Sequence, residues 1–284
     1  MLWFTEAHTP NVNFSIKISR HLHSEKSEFQ QIDVFDSPEF GRFFSLDSVV
    51  MVTEKDEFIY HEMITHVAMA VAPEIKRVLI VGGGDGGTAR ELARYKTLEK
   101  IDLVDIDRRV VEVCREYLPF TSCGLDDPRV SVFFEDGVAF VAGKENEYDF
   151  IIVDSTDPIS VGEGLFSSAF YKSCHKALKP NGILVNQHES PYYEITSAAM
   201  KRAHHRIRES FPAANCHVYQ AFIPTYQSGH WLFGFASKSR EAGFDPLIFD
   251  AAAWNALGLE TKYYNTALHR ASFALPNYVK KDLA

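Results

Sequence analysis

Three aspartates are spaced so that a folded chain could bring them into one acidic site. Asp85 lies inside a glycine-rich segment that follows an apolar run, and Asp154 and Asp157 follow a second apolar run, residues 150–153. If both runs are strands of one parallel sheet, the residues after them meet at its carboxyl edge. Carboxylates gathered there could bind a divalent metal ion through oxygen, bind a cationic amine, or accept a proton. Of these ligands, a chain carrying several amino groups is favoured, because Tyr60 and Tyr226 suit its alkyl stem.

The glycine-rich segment reads GGGDGGT from Gly82 and stands between an apolar run and a helical pattern. Glycine there permits a tight turn and lets a ligand approach the backbone closely. Gly82, Gly84 and Gly87 satisfy the dinucleotide pattern GxGxxG, whereas Gly82, Gly84 and Gly86 satisfy GxGxG, common where a nucleoside lies across such a sheet. The spacing leaves both ligands open. Asp85 argues against NAD and ATP, because it would repel a phosphate at ~4 Å by several kcal/mol in an intermediate dielectric.

Two further aspartates end predicted strands at the same edge. Asp105 lies about 20 residues after the glycines, where a carboxylate accepts the ribose hydroxyls of a bound nucleoside. The alternative, that it caps the following helix, suits Asp107 better. Asp136, followed by Gly137, could accept from an adenine amino group or cap the helix that follows it, and the sequence leaves both roles open.

The elements that must position these residues follow from hydrophobic periodicity. Alternation of apolar and polar residues predicts N-terminal strands at residues 12–18, 29–35 and 43–52, and a helix follows at residues 57–70. Beyond residue 77, apolar strands are predicted at 78–81, 101–104, 130–134, 150–153, 183–185, 217–222 and 231–236, with helices at 88–95, 108–118, 138–144, 165–178 and 195–211. Apolar strands alternating with helices indicate a parallel sheet covered on both faces. We therefore predict an α/β fold: a small antiparallel β domain, residues 1–60, followed by a Rossmann-like catalytic domain, residues 61–284.

Composition excludes several other classes of protein. The chain has 284 residues and a formal charge of −9, with no dense basic run, so a nucleic-acid partner is not expected. Its four cysteines form no CxxC pair, which argues against a zinc or redox motif and for reduced thiols in the cytoplasm. The N-terminus has no signal-peptide pattern, and no apolar run has the ~20 residues needed to span a bilayer.

Taken together, these motifs resemble the polyamine aminopropyltransferases over essentially the whole chain. The matching segments are residues 3–6, 46–47, 57–63, 82–87, 126–130, 154–158, 223–226, 263–265 and 274–276. GGGDG and DSTDP are specific to that family in combination. The resemblance implies a Rossmann-like domain of the class I methyltransferase type after an N-terminal β domain. It also implies a cytosolic homodimer or homotetramer that needs no metal and no cofactor.

The implied reaction moves the aminopropyl group of decarboxylated S-adenosylmethionine, a co-substrate, to putrescine. The products are spermidine and 5′-methylthioadenosine. Asp154 resembles the proton acceptor of the family. Residues resembling its donor-binding set are Gln30, Gly82, Gly84, Asp105, Asp136, Gly137 and Val161. Residues resembling its polyamine-binding set are Tyr60, His61, Asp85, Asp154, Ser155, Thr156, Asp157, Gln187 and Tyr226.

Two departures from the family pattern lie near the implied site. Ser160 and Val161 stand where the family often has Gly-Pro, which closes over the nucleoside. Residues 186–189 read NQHE instead of the more usual Ala-Gln start, so that Glu189 adds an acid near the amine site. The acceptor therefore stays open among putrescine, cadaverine, agmatine and spermidine.

Three rival classes fit parts of the sequence. A methyltransferase shares the fold but does not need Asp85, Asp154 and Asp157 together. An NAD-dependent oxidoreductase fits GxGxxG but conflicts with Asp85. A non-catalytic polyamine-binding protein would keep the acids without needing the nucleoside ligands Gln30 and Asp105. The acidic loop also predicts donor choice, because it repels the α-carboxylate of S-adenosylmethionine, which the decarboxylated compound lacks.

Overall fold

The N-terminal part of the chain forms two small antiparallel sheets. A computed structural model describes residues 2–156, 160–239 and 244–284, without the side chains of residues 160 and 161. Strands β1 (Leu2–Thr9) and β2 (Val12–Ile18) pair as a hairpin. A four-stranded sheet contains, in spatial order, β3 (Arg20–Lys26), β4 (Gln31–Ser37), β5 (Gly41–Leu46) and β6 (Val49–Thr53). Phe4, Ile16, Phe35 and Phe43 lie in the core that joins the hairpin to this sheet.

The rest of the chain builds one seven-stranded sheet with helices on its faces. Its spatial order is β12-β13-β11-β10-β7-β8-β9. The strands are β7 (Arg77–Gly82), β8 (Lys100–Asp105), β9 (Val130–Phe134), β10 (Tyr148–Asp154), β11 (Leu178–Gln187), β12 (Cys216–Phe222) and β13 (His230–Ser237). Strands β7 to β11 run parallel, and β13 and β12 continue the sheet with antiparallel pairing.

Helices connect these strands and cover both faces of the sheet. They are α1 (Glu57–Val71), α2 (Gly87–Ala93), α3 (Arg108–Tyr117), α4 (Pro119–Ser122), α5 (Gly137–Ala142), α6 (Ser168–Ala177), α7 (Glu194–Ser210), α8 (Ala251–Ala256), α9 (Thr266–Ser272) and α10 (Asn277–Leu283). Side chains of β7 alternate between the two cores, with Val78 and Ile80 in the one that contains α1 and Leu79 and Val81 in the other. Among the described residues, none of the helices combines the length and hydropathy that a membrane span requires.

Helix α1 joins the two parts and is tied to the C-terminal segment. It is buried along most of its length, and its polar residues are buried with the apolar ones. The Glu62 carboxylate, 3% exposed, accepts the backbone N–H groups of Lys262, Tyr263 and Tyr264, each at 2.8 Å. These three bonds satisfy a buried charge that would otherwise cost several kcal/mol.

The predicted fold class is confirmed, and one predicted strand is wrong. Residues 43–52 form two strands, because the chain reverses at Asp47 and Ser48, whose φ angles are +48° and +67°. Strands β1 and β3 were not predicted. The proposed boundary between residues 60 and 61 falls inside α1 and stays a prediction.

Candidate active site

A cleft lies between the N-terminal β domain and the carboxyl edge of the large sheet. Strand register explains why its acidic residues meet, since Asp154 at the end of β10 pairs with Gly82 at the end of β7. Asp105 ends β8, the strand on the other side of β7. The residues lining the cleft include Glu6, His8, Gln30, Met51, Tyr60, His61, Gly82, Gly84, Asp85, Asp105, Asp136, Gly137, Asp154, Ser155, Thr156, Gln187, Tyr226 and Trp231.

The glycine loop contacts its neighbours through backbone that tolerates no side chain. A Cβ atom at Gly82 would lie 2.2 Å from the Asp154 carbonyl oxygen, and φ there is +85°. A Cβ atom at Gly84 would lie 2.6 Å from Asp105 Oδ2. The Gly83 N–H donates to the Asp154 carbonyl at 2.8 Å. The loop, Asp105 and Asp154 are therefore held together as one unit.

Asp105 is held by backbone donors on both carboxylate oxygens. Gly84 N–H donates to Oδ2 at 3.1 Å and Asp107 N–H to Oδ1 at 2.8 Å. Burial raises the pKa of Asp105 to about 6, although these two bonds oppose the shift. Asp107 caps α3 as expected, accepting from Arg109 N–H at 3.0 Å, and it also accepts from Gln30 Nε2 at 3.0 Å. Gln30 thus links the N-terminal β domain to Asp107 at the start of α3.

Asp136 is the N-cap of α5 and remains exposed. Its Oδ1 accepts the Val138 N–H at 2.8 Å, which confirms the capping role. The second role, toward an adenine amino group, stays a prediction. A Cβ atom at Gly137 would lie 2.6 Å from the Val81 side chain, so glycine is needed where α5 approaches the sheet.

Asp154 accepts two short hydrogen bonds from hydroxyl groups. Tyr60 Oη donates to Oδ1 at 2.7 Å and Thr88 Oγ1 donates to Oδ2 at 2.6 Å. Burial, together with the negative charge of Asp85, raises the pKa of Asp154, while His61 and the two hydroxyl donors oppose that rise. A carboxylate made more basic and fixed in place is suited to accept a proton.

His61 and Asp85 form a buried ion pair beside Asp154. His61 Nε2 lies 3.2 Å from Asp85 Oδ1, and Nδ1 lies 2.6 Å from Glu57 Oε2. Burial alone would lower the pKa of His61, but Asp85 and Glu57 raise it to about 10. His61 is therefore an imidazolium at neutral pH, and Asp85 is held by it and by the Gly87 N–H at 2.8 Å.

The cluster suits a cationic amine better than a metal ion, although its ligand atoms are close enough together for a metal. Ligand atoms of His61, Asp85 and Asp154 lie within 4.8 Å of one another. Both ring nitrogens of His61 face carboxylates, so a metal ion would have to displace one of these two contacts to gain the imidazole as a ligand. Without the imidazole, only two carboxylates remain. A cationic amine donates N–H hydrogen bonds and is attracted by negative charge, so the two carboxylates of the cluster fit it.

Aromatic rings form one wall of the cleft next to the acids. The ring centroids of Tyr60 and Tyr226 are 5.8 Å apart, and those of Tyr226 and Trp231 are 4.8 Å apart. Gln187 is buried and donates through Nε2 to Glu189 Oε1 at 3.0 Å. The wall can hold an alkyl chain. Glu189, which departs from the family pattern, does not line the cleft but contacts it through its hydrogen bond with Gln187.

The remaining predicted residues differ in how far the structure describes them. Ser155 and Thr156 line the cleft, and Ser155 Oγ is buried with no hydrogen-bond partner among the described residues. Asp157 lies outside the described residues, and the Val161 side chain is not described. Their predicted roles stay predictions.

Sequence reasoning missed several residues of this region. Thr88 and Glu57 contact Asp154 and His61, while Glu6, His8 and Trp231 line the cleft. Only the spacing of Glu57 and His61, four residues apart on one helix, is a signal that the sequence offers. Glu6 and His8 could not be found because β1 was not predicted.

Comparison with protein families gives two matches that together cover most of the chain. The spermine/spermidine synthase domain matches residues 57–246, and the spermidine synthase tetramerisation domain matches residues 2–54. The chain is 66% identical over 282 residues to a polyamine aminopropyltransferase of Clostridium perfringens, covering 99% of this chain and 98% of that relative. It is 64% identical over 283 residues to one of Alkaliphilus oremlandii, with the same coverage.

Solved structures give the same result for the fold. A spermidine synthase in complex with the transition state analogue AdoDATO superposes with a TM-score of 0.95 at 46% identity, covering 99% of this chain and 94% of that one. Spermidine synthase from Thermotoga maritima superposes with a TM-score of 0.93 at 45% identity, covering 100% and 94%.

Proposed function

The chain belongs to the spermine/spermidine synthase family, and on that premise we propose that it transfers an aminopropyl group from decarboxylated S-adenosylmethionine to putrescine. The products are spermidine and 5′-methylthioadenosine. One observation carries the proposal: a doubly hydrogen-bonded Asp154 stands beside the Asp85–His61 pair at the glycine loop. That arrangement suits an enzyme that accepts a proton from a cationic amine next to a nucleoside.

The donor is proposed to bind along the carboxyl edge of β7, β8 and β9. Asp105 accepts the ribose hydroxyls, and Asp136 accepts the adenine amino group. Gly82, Gly84 and Gly137 let the nucleoside approach the backbone, while Gln30 and Val161 complete its surroundings. The support is that these residues, except the undescribed Val161 side chain, line one continuous cleft.

The acceptor amine is proposed to lie against Tyr60, Gln187 and Tyr226. Its ammonium groups are held by carboxylates, with Asp85 and Asp154 joined by Asp157, and His61, Ser155 and Thr156 complete this polyamine side. An alkyl ammonium has a pKa of ~10.4, so the amine arrives as a cation and must lose a proton to react. The acidic cluster both binds this cation and provides the base.

The reaction is a direct displacement at carbon. The amine lone pair forms a bond to the aminopropyl carbon, the carbon–sulfur bond breaks, and its electron pair neutralises the sulfonium to a thioether. Asp154 takes one proton from the bound ammonium group, which frees that lone pair, and the product nitrogen keeps its two remaining hydrogens as a secondary ammonium. Holding the two substrates in line supplies much of the remaining acceleration.

The same cleft suggests how the donor is selected. S-adenosylmethionine differs from its decarboxylated form by an α-carboxylate. Asp85, 8% exposed and beside the base, would repel that carboxylate and attract the remaining ammonium. We propose that this repulsion excludes S-adenosylmethionine.

A homodimer or homotetramer is proposed for the assembly. Residues 2–54 match a tetramerisation domain, and Leu2 and Trp3 at the start of β1 are 64% and 55% exposed. Large apolar side chains in such positions are typical of surfaces that another subunit covers.

The test is release of 5′-methylthioadenosine from decarboxylated S-adenosylmethionine with a panel of amines. Putrescine, cadaverine, agmatine and spermidine are supplied singly at equal concentration. We expect release with putrescine to have the highest kcat/KM of the panel. Release with no amine of the panel would contradict the proposal, and preference for another amine would reassign the acceptor.

A further inference from the structure

A row of four charged side chains leads from α2 to the cleft. Arg90 donates through Nη1 and Nη2 to the two carboxylate oxygens of Glu57, each at 2.9 Å. Glu57 Oε2 lies 2.6 Å from His61 Nδ1, and His61 Nε2 lies 3.2 Å from Asp85 Oδ1. Charges alternate along the row, so each group stabilises the next. Of the four, only His61 and Asp85 line the cleft.

The row is buried from Glu57 to Asp85, with Arg90 half-buried at its outer end, and its geometry is fixed. Glu57 is 7% exposed and His61 is 2% exposed. A Cβ atom at Gly87 would lie 2.2 Å from His61 Cε1, so the imidazole packs directly on the first residue of α2. With its ring held on that side and a carboxylate at each nitrogen, His61 has one orientation available.

The groups that face His61 come from every element packed around it. Glu57 and Tyr60 lie on α1, the Tyr60 ring at a centroid distance of 5.5 Å. Asp85 comes from the glycine loop and Asp154 from the end of β10. Glu57 is the one carboxylate of this set that is absent from the cleft lining, and Arg90 in turn holds it in place. Its contact with the site runs through His61.

We propose that Glu57 is a positioning residue, which holds the His61 imidazolium against Asp85 and so fixes the carboxylate that receives the cationic parts of the substrates. The inference rests on the proposed function, because it assigns Asp85 to substrate ammonium groups. Asp85 Oδ1 already forms the ion pair with His61 Nε2 and accepts the hydrogen bond of the Gly87 N–H. Among the described residues, these contacts leave Asp85 Oδ2 open to a ligand, and rotation of the carboxylate would turn Oδ2 away from the ligand.

The test replaces Glu57 by Gln, which keeps the size of the side chain and removes its charge. The pKa of His61 is about 10 in the intact protein, and loss of one carboxylate partner lowers it. Above the lowered value the imidazole is neutral and releases Asp85. A fall of one pKa unit leaves His61 almost fully protonated at pH 7 but lowers its protonated fraction about twofold at pH 9 and about fivefold at pH 10. We therefore expect kcat/KM for the amine to be nearly unchanged at pH 7 and to fall by about these factors at pH 9 and pH 10.

Two measurements separate positioning from general structural damage. Nitrogen-15 NMR of the histidine rings, with His61 assigned by its loss in His61→Asn, should show an imidazolium up to pH 9 in the intact protein. Glu57→Gln should lose that proton at least one pH unit earlier. The matched control is Glu62→Gln, which alters the next buried glutamate of α1 without touching His61. Its activity defect should be the same at pH 7, pH 9 and pH 10.

Different results overturn the inference and the proposed function. A His61 signal that titrates below pH 8 in the intact protein refutes the inference whatever the variants do. A Glu57→Gln defect of equal size at all three pH values also refutes it. If Glu57→Gln does not fold, Glu57→Asp keeps the charge, and the intact protein's NMR titration still decides. Failure of the intact protein to release 5′-methylthioadenosine counts against the proposed function, while the titration remains a test of the ion-pair row.

Discussion

Replacing Asp154 by Asn removes the proposed base while keeping the shape of the side chain. Asp154 accepts from Tyr60 Oη at 2.7 Å and from Thr88 Oγ1 at 2.6 Å. Asn can accept only one of these bonds, and its amide group must donate to the other hydroxyl, which has to turn. The structural change is therefore the rearrangement of one hydrogen bond.

The expected loss of kcat distinguishes removal of a general base from removal of one hydrogen bond. One neutral hydrogen bond contributes about 1 kcal/mol, which corresponds to roughly a fivefold change in rate. Loss of a general base costs on the order of 10²-fold or more. We expect Asp154→Asn to lower kcat about 100-fold, or about 2.7 kcal/mol in activation free energy. The rearranged hydrogen bond alone cannot account for that loss.

The assay is 5′-methylthioadenosine release with both substrates saturating. Tyr60→Phe and Thr88→Val each remove one hydrogen bond and keep the carboxylate, so each should lower kcat far less than Asp154→Asn does. Tyr60→Phe also removes a donor that lowers the pKa of Asp154. Its kcat should therefore begin to fall at a higher pH than that of the intact enzyme as the solution is acidified. If Asp154→Asn changes only KM, or loses no more kcat than Tyr60→Phe, Asp154 is a binding residue and the reasoning is wrong.

Further outcomes are expected for four other variants. Asp85→Asn should narrow the difference in affinity between decarboxylated and ordinary S-adenosylmethionine; equal binding of the two by the intact protein in calorimetry would reject the charge argument. Asp105→Asn should weaken donor binding by roughly 1.5–3 kcal/mol with a smaller effect on kcat. The pKa of Asp105 is about 6 in the folded protein and 3.8 as its ordinary value, so the folded state holds this proton more tightly. The free energy of unfolding of the unliganded protein should therefore fall as the pH rises from about 4 to 6. Chemical denaturation should show that Asp105→Asn lacks this fall. Gly87→Ala should reduce activity more than Gly143→Ala, since the added Cβ meets His61 at 2.2 Å in the first case and only an ordinary 3.8 Å contact in the second. Glu62→Gln should lower the free energy of unfolding by about 1–3 kcal/mol, and an unchanged denaturation midpoint would contradict the role given to its three N–H donors.

Apolar strands explain why much of the site could be predicted. Residues 130–134 were predicted as a strand and are β9, and the neighbouring strands differ from prediction by one to a few residues at their ends. Parallel strands must bring their carboxyl ends to one edge, so Asp105 and Asp154 were placed together without any knowledge of side-chain packing. The cap at Asp107 followed from local hydrogen bonding alone.

Turns without glycine and long-range contacts explain what was missed. Phe44 and Val52 bury the same face of a hairpin, so apolar residues continue through its turn and suggest one strand. The turn residues Asp47 and Ser48 adopt positive φ without a glycine, which is the residue that marks such a turn most clearly. The contact of Arg90 with Glu57 spans 33 residues and depends on how α1 packs against α2, a fact that no local pattern contains.

The contacts of Glu62 also have a consequence for the order in which the molecule can be completed. A ribosome makes the helix that carries Tyr60 and His61 long before it makes the segment that Glu62 binds, since Glu62 and Lys262 are 200 positions apart. Until that segment emerges, the Glu62 carboxylate lacks its three N–H donors. Packing α1 into the core would then leave a charge unsatisfied, so the helix is less stably packed. We expect chains released before Lys262 to leave α1 open to proteases, which limited proteolysis of truncated chains would reveal. The packing of the helix that carries Tyr60 and His61 is thus completed only after residues 262–264 have been synthesised.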